Sequence, residues 1–323
     1  MIPTETPPRR VPLDPITDEA LGLAADALRA GELIAFPTET VYGLGANALD
    51  PVAVAKIYAA KGRPPTNPLI VHVADEAAAQ AVVAAWPDDA RKLAAKFWPG
   101  PLTLVLPRHE GIPDAVTAGG PTVAVRCPAH PGARAILAAA GVPVAAPSAN
   151  RSGELSPTTA DHVLKGMGGR VRWVFDGGPC PGGVESTVLA LSGFRPRLLR
   201  PGPVTVAEIE AVVGPIDATA PKLTADAPMP GPGMLPKHYA PRTPLECAET
   251  EDEWNFLVNL YETAGLKVGR ARFDGDPARV MATLYAELHA LDDAGHDRLI
   301  ALLPQPTDTN RAVRDRLARA ALD

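Results

Sequence analysis

An α/β fold in two unequal domains is what this sequence predicts, and three observations predict it. From about residue 15 to 213, short β-rich runs alternate with segments of helical spacing, the signature of α/β organisation. Residues 215–244 then hold eight prolines, which fix φ and remove backbone donors, so the stretch reads as a stiff, extended linker. Beyond it, mixed helical and β-like patterns fit a small second α/β domain. The expected divisions are 1–214, 215–244 and 245–323, with no internal repeat.

The elements follow in order. Residues 18–30 carry leucine and alanine at helical spacing and stop at Gly31, which suits a left-handed cap. A strand over 33–36 comes next. Asp50 before Pro51 places an N-cap residue ahead of proline at the first helical position, and this helix runs to a stop at Gly62, carrying Lys61 and Arg63 at its C-terminal end. Further strands are expected over 69–73, 102–106, 123–126, 142–146, 173–175, 187–191 and 197–199. Thr205 and Glu208 have capping-box spacing and open a helix ending at Gly214. In the second domain, helical patterns cover 252–264, 277–291 and 308–322, and β-like runs cover 267–273 and 298–303.

Composition narrows the function. Of 323 residues, 46% are apolar and 21% charged, which fits a globular chain and argues against disorder. No stretch approaches the roughly 20 apolar residues of a membrane-spanning helix, and the first residues lack a signal peptide's apolar core, so the cytoplasm is expected. A net charge of −6 repels bare phosphate backbones and favours small-molecule chemistry. Cys127, Cys180 and Cys247 form no C-x-x-C pair, so they read as buried thiols and no resident metal site is expected.

Several motifs could carry chemistry. Gly43-x-Gly45-x-x-Ala48 imitates a dinucleotide fingerprint, but the next helix begins only at Pro51, and Arg63 stands where the ribose-binding acid belongs. A turn needing glycine for positive φ is therefore expected at 43–45. Lys61, Arg63, Asn67 and His72 spread two cations, an amide and an imidazole over a loop and the next strand. They could grip a triphosphate, or the cations could be solvated charges at a helix end. Arg126 shares a strand face with Thr122 and Ala124; a partly buried arginine needs an anion, either a structural carboxylate or a substrate's. Ser148 and Asn150 end a strand, and Ser156 lies in the turn beyond. No G-x-S-x-G elbow is present, so phosphate and ribose binding suits these hydroxyls and amides better than nucleophilic catalysis.

Taken in order, Pro-Thr-Glu-Thr-Val-Tyr-Gly-Leu-Gly from Pro37, Lys-Gly-Arg-x-x-x-Asn-Pro-Leu from Lys61, Trp-Pro-Gly-Pro-Leu-Thr from Trp98, Pro-Ser-Ala-Asn-x-Ser-Gly from Pro147, Glu-Ser-Thr-Val from Glu185 and Arg-Pro-Gly from Arg200 resemble the YrdC-like threonylcarbamoyl-AMP synthases. The linker with Lys237-His-Tyr239-Ala-Pro241 resembles the longer, two-domain form, although residues 245–323 look short for its second domain. The resemblance implies a twisted mixed sheet with helices around a positively charged cavity, and a smaller Rossmann-like α/β domain. It implies that L-threonine, bicarbonate and ATP, with Mg²⁺ on the phosphates, give threonylcarbamoyl-AMP and pyrophosphate. A separate transferase would then modify the tRNA adenosine beside the anticodon.

Carried over by position, the catalytic signature falls on Lys61, Arg63, Ser148 and Asn150. ATP contacts fall on Arg63, Asn67, Thr122, Ser148, Ser156, Arg200 and Tyr239, and threonine contacts on Thr40, His72, Arg126, Ala146 and Ser186. Tyr239 lies in the linker, which implies a lid. Carbamoyl transferases of hydrogenase maturation share the domain but add zinc fingers that three isolated cysteines cannot build. An RNA-binding module for ribosome assembly is the other alternative. Arg311, Arg314, Arg316 and Arg319 could give it a weak RNA patch, but they read more simply as a solvated helix face.

Overall fold

The computed structural model describes residues 7–219, 229–234 and 238–322. Lys237 lies outside the described residues, as does part of the 215–244 linker.

Ten strands make one mixed sheet: β1 (Arg9–Pro12), β2 (Ile34–Phe36), β3 (Gly43–Asn47), β4 (Ile70–His72), β5 (Leu102–Pro107), β6 (Thr122–Arg126), β7 (Val144–Ala145), β8 (Trp173–Asp176), β9 (Thr187–Ala190) and β10 (Arg197–Arg200). Their spatial order is β1-β8-β2-β3-β7-β4-β6-β5-β9-β10. Successive side chains on a strand face opposite ways, so β2 serves two cores. Ile34 and Phe36 pack with Leu28, Ile136 and Leu137, while Ala35 packs with Leu44, Ile57 and Leu104. Helices therefore cover both faces, as the alternating pattern predicts.

The helix ends follow their caps. Thr17 accepts from the Ala20 amide and opens Asp18–Arg29; Asp50 accepts from the Val52 amide and opens Pro51–Lys61, which Gly62 closes at φ 62°. Thr205 and Glu208 form the full capping box of Val206–Val213. Every strand expected in the first domain is present, with ends shifted by a residue or two.

One reading is corrected. Gly43 and Gly45 do not form a turn; they lie in β3, paired antiparallel with β2 and β7. A Cβ on Gly45 would stand 2.8 Å from Phe36 Cε1 and 2.9 Å from Val144 Cγ1, so close packing by neighbouring strands, and not positive φ, demands glycine there. Two further strands were not foreseen: β1, a largely exposed edge strand rich in arginine, and the first strand of the second domain.

That domain is a parallel sheet of β11 (Leu245–Ala248), β12 (Val268–Arg272) and β13 (Arg298–Leu302) in the order β11-β13-β12. Helices Glu251–Thr263, Pro277–Asp293 and Arg311–Ala320 pack on it. Its core of Phe273, Leu284, Tyr285, Leu299 and Leu317 runs on without a break into Val41, Leu155 and Val184 of the first domain and Tyr239 of the linker. The two domains thus share one apolar cluster. Among the described residues, no helix is long and apolar enough to cross a membrane.

Candidate active site

A cavity opens where β4, β6 and the residues after β7 meet the loop before β9, the end of β10 and the linker. Thr40, Arg63, His72, Arg126, Ala146, Ser148, Ser186, Arg200 and Tyr239 all line it.

One half is built on adjacent strand ends. The parallel register of β4 and β6 sets His72 beside Arg126. Arg126 donates from Nε to the Gly100 carbonyl at 3.2 Å and from Nη2 to Glu39 Oε1 at 2.6 Å. One of the two partners left open by the sequence, a structural carboxylate, is thus present, and Glu39 Oε2 has no hydrogen-bond partner among the described residues. Burial, then the charge of Arg126, lower the His72 imidazole to about 3, so it is neutral at pH 7. Thr40 Oγ1 lies 2.9 Å from Thr38 Oγ1, which donates to the Val41 carbonyl, and Ser186 Oγ lies 2.7 Å from Thr103 Oγ1.

The other half is cationic. Arg63, delivered just past the Gly62 cap, donates from Nε to the Asn67 carbonyl at 3.0 Å. Its Nη2 donates to Asn67 Oδ1 at 2.6 Å and to the Pro68 carbonyl at 2.7 Å. Arg200 donates to the Ser186 carbonyl from Nε at 3.1 Å and Nη2 at 2.9 Å. Burial lowers both, Arg63 to about 10. Their hydrogen bonds go to neutral oxygens; among the described residues neither forms an ion pair. The reading of Lys61 and Arg63 as solvated cations is overturned, because both are buried.

Five site residues expected from the sequence stand outside the lining. Lys61 donates to the Ser148 carbonyl at 2.5 Å and to the Asn150 carbonyl, and so holds the loop that presents Ser148. Burial and the nearby Arg63 lower its ammonium well below the usual lysine value. Asn150 uses its amide nitrogen on the Arg151 and Glu154 carbonyls, both at 2.8 Å. Asn67 anchors Arg63 while its own Nδ2 lacks a partner among the described residues. Ser156 donates to Glu185 Oε1 at 2.5 Å, and Thr122 begins β6.

The linker closes one side of the cavity with Pro232, Gly233, His238 and Tyr239. Tyr239 is buried at φ 65°, a conformation that costs an L residue roughly 1–2 kcal/mol, so its packing holds it there. A Cβ on Gly233 would stand 2.4 Å from Arg200 Nη1, so glycine lets the linker backbone cross directly over the guanidinium.

Sequence reasoning missed Glu185 and its partner. Glu185 lines the cavity, yet Oε2 accepts from Arg316 Nε at 2.7 Å across 131 residues of sequence. Burial raises the carboxyl, but the charges of Arg316 and Arg200 outweigh it and hold Glu185 down at about 2. The available signal was a carboxylate in an otherwise uncharged motif, which must find a cation if buried. The four arginines of the last helix are not one solvated face: Arg316 is fully buried, Arg314 and Arg319 are half-buried and pair with Glu249 and Asp315, and only Arg311, beside Asp308, is exposed.

Residues 26–202 match the Sua5–YciO–YrdC family, described as telomere recombination, and residues 204–322 match the family described as the threonylcarbamoyl-AMP synthase C-terminal domain. The region that looked short for the family's second domain therefore matches it. Threonylcarbamoyl-AMP synthase of Bacillus subtilis is 42% identical over 94% of this chain and 93% of its own. That of Pyrococcus abyssi is 40% identical over 95% of each. The crystal structure of P. abyssi Sua5 complexed with L-threonine superposes with a TM-score of 0.90 at 38% identity, covering 97% of this chain and 96% of that one. With both domains matched and relatives aligned nearly end to end, the chain belongs to the two-domain, Sua5-type threonylcarbamoyl-AMP synthases.

Proposed function

We propose that this cavity joins L-threonine, bicarbonate and ATP into threonylcarbamoyl-AMP and pyrophosphate, and that it does so with the residues assigned above. The amine of threonine attacks the bicarbonate carbon and water leaves; an oxygen of the resulting carbamate attacks the α-phosphorus, and the bond to the β-phosphate breaks. Arg126 holds the threonine carboxylate in its planar fork, Thr40, Ser186 and the neutral His72 receive the polar groups, and Ala146 is the apolar wall. Arg63, Arg200, Ser148 and Tyr239 hold the nucleotide from the cavity wall, backed by Asn67, Ser156 and Thr122. Lys61 and Asn150 fix the loop on which Ser148 sits. Fixed cations and donors of this kind stabilise the charge that builds on phosphorus without reorganising during the reaction.

The observation that carries this reading is the pair Arg63 and Arg200, buried at the cavity and bonded to neutral oxygens. A triphosphate would give such cations the direct ion pairs that neither forms among the described residues. Mg²⁺ enters with ATP on its phosphate oxygens. Among the described residues no cluster of three His, Cys, Asp or Glu could hold a metal. The linker acts as a lid that keeps water from the labile carbamate. A tRNA threonylcarbamoyl transferase consumes the product in the cytoplasm. The test is pyrophosphate release from ATP: it should require both threonine and bicarbonate, and release independent of either one would overturn the proposal.

A further inference from the structure

We infer that the second domain completes the nucleotide half of the cavity, with Arg316 and Tyr285 as positioning residues that hold Glu185 and, through it, Ser156 and Arg200. The inference rests on the assignment of Ser156 and Arg200 to ATP.

The contacts form a short chain from one domain to the other. Arg316 donates from Nε to Glu185 Oε2 at 2.7 Å and from Nη2 to the Pro201 carbonyl at 3.0 Å, so it grips both the carboxylate and the residue following Arg200. The Tyr285 hydroxyl lies 3.1 Å from each Glu185 oxygen. Ser156 is fixed twice, by its hydroxyl on Glu185 Oε1 and by its carbonyl, 3.1 Å from Nε2 of His289 on the second domain's long helix. The loop ahead of Glu185 touches that same helix: a Cβ on Gly183, at φ 70°, would stand 2.2 Å from the Met281 carbonyl oxygen. The last helix also holds the lid, with Arg319 donating to the Gly233 carbonyl at 2.9 Å and the Arg316 guanidinium 5.0 Å from the centre of the Tyr239 ring.

Stability alone does not account for this arrangement. A buried ion pair gains little over apolar residues of the same volume, because desolvation consumes most of its attraction. What a fully bonded carboxylate supplies is a fixed position and a fixed negative charge, here beside two groups assigned to ATP. Neither Arg316 nor Tyr285 lines the cavity, so their effect on substrate passes through the groups they hold, Glu185 first and, for Arg316, also Pro201 and Tyr239.

The test compares Michaelis constants in the full-length protein. Tyr285→Phe removes one hydroxyl and should raise KM for ATP about threefold, and Arg316→Met should raise it about tenfold or more, the scale of lost hydrogen bonds to a charged group. In both, KM for threonine should change less than about twofold, and Arg316→Lys should recover part of the ATP effect. Equal rises in both constants, or a lower melting temperature with both constants unchanged, would overturn the inference. If Arg316→Met does not fold, Tyr285→Phe and Arg316→Lys decide the matter by the same split. Wild-type protein without threonine- and bicarbonate-dependent pyrophosphate release would instead sink the underlying functional assignment.

Discussion

Two buried arginine–glutamate pairs flank the cavity, and they are in different states. Arg126 and Glu39 have side chains 4% and 15% exposed, and Arg316 and Glu185 have 1% and 8%. Both oxygens of Glu185 are taken, by Ser156, Tyr285 and Arg316, whereas Glu39 uses Oε1 alone and leaves Oε2 without a partner among the described residues. The chemical pair is the same, and the surrounding hydrogen bonds decide what it does. A carboxylate bonded at both oxygens makes the second pair a joint between domains; of the first pair only Arg126 lines the cavity, and its carboxylate is bonded at one oxygen.

Removing one cation from each pair should break them differently. Arg316→Ala leaves a fully buried carboxylate and should cost about 3–5 kcal/mol in denaturant unfolding. Restoring most of that loss by adding Glu185→Leu would confirm that the stranded charge causes it. Arg126→Ala should cost less stability, since Glu39 keeps some access to water, but should raise KM for threonine about 30- to 100-fold, or roughly 2–3 kcal/mol of lost charged hydrogen bonding. Comparable melting temperatures for the two alanine variants would erase the distinction.

Acid should separate the two corners more gently. His72, beside Arg126, is lowered from 6.5 to about 3, and His238 in the linker likewise. Between these values the unfolded chain binds more protons than the native one, so stability falls as pH drops below about 6.5, by about 1.4 kcal/mol per pH unit for each such proton. Glu185, lowered from 4.5 to about 2, contributes stability that is present above 4.5 and lost only as pH falls from there toward 2. Unfolding curves at a series of pH values should therefore show a first decline that His72→Gln makes shallower, and a steeper one below pH 4.5 that Glu185→Gln makes shallower. A single decline confined to the lower range would contradict the buried, neutral histidines.

What the sequence made legible was local. Asp50 and Thr205 announce their helices because a cap and the amide it serves lie within three residues of each other. Arg63, Arg126, Ser148, Ser186 and Arg200 stood out because each lies at or beside the end of a helix or strand within a recognisable motif, and the fold gathers those element ends at one cavity. The joint was illegible for the opposite reason. Arg316 sits in a helix with three other arginines, where a solvated face is the simpler reading, and only the packed fold brings Glu185 to it. Lys61 shows the same limit on a smaller scale: its charge was visible, but the carbonyls of Ser148 and Asn150 that receive it were not.

The glycine misread as a turn has its own consequence. With Phe36 and Val144 pressed against Gly45, β3 is locked into mid-sheet, and even one methyl there should cost about 1–3 kcal/mol, which thermal unfolding of Gly45→Ala would measure. Leu44 and Ala149, through backbone bonds to Pro147 and Tyr42, tie the Ser148 loop to that immovable strand. The cavity wall that carries Ser148 is thereby set by the sheet itself, so a relative with a wider cavity would have to gain its room from the other loops around it.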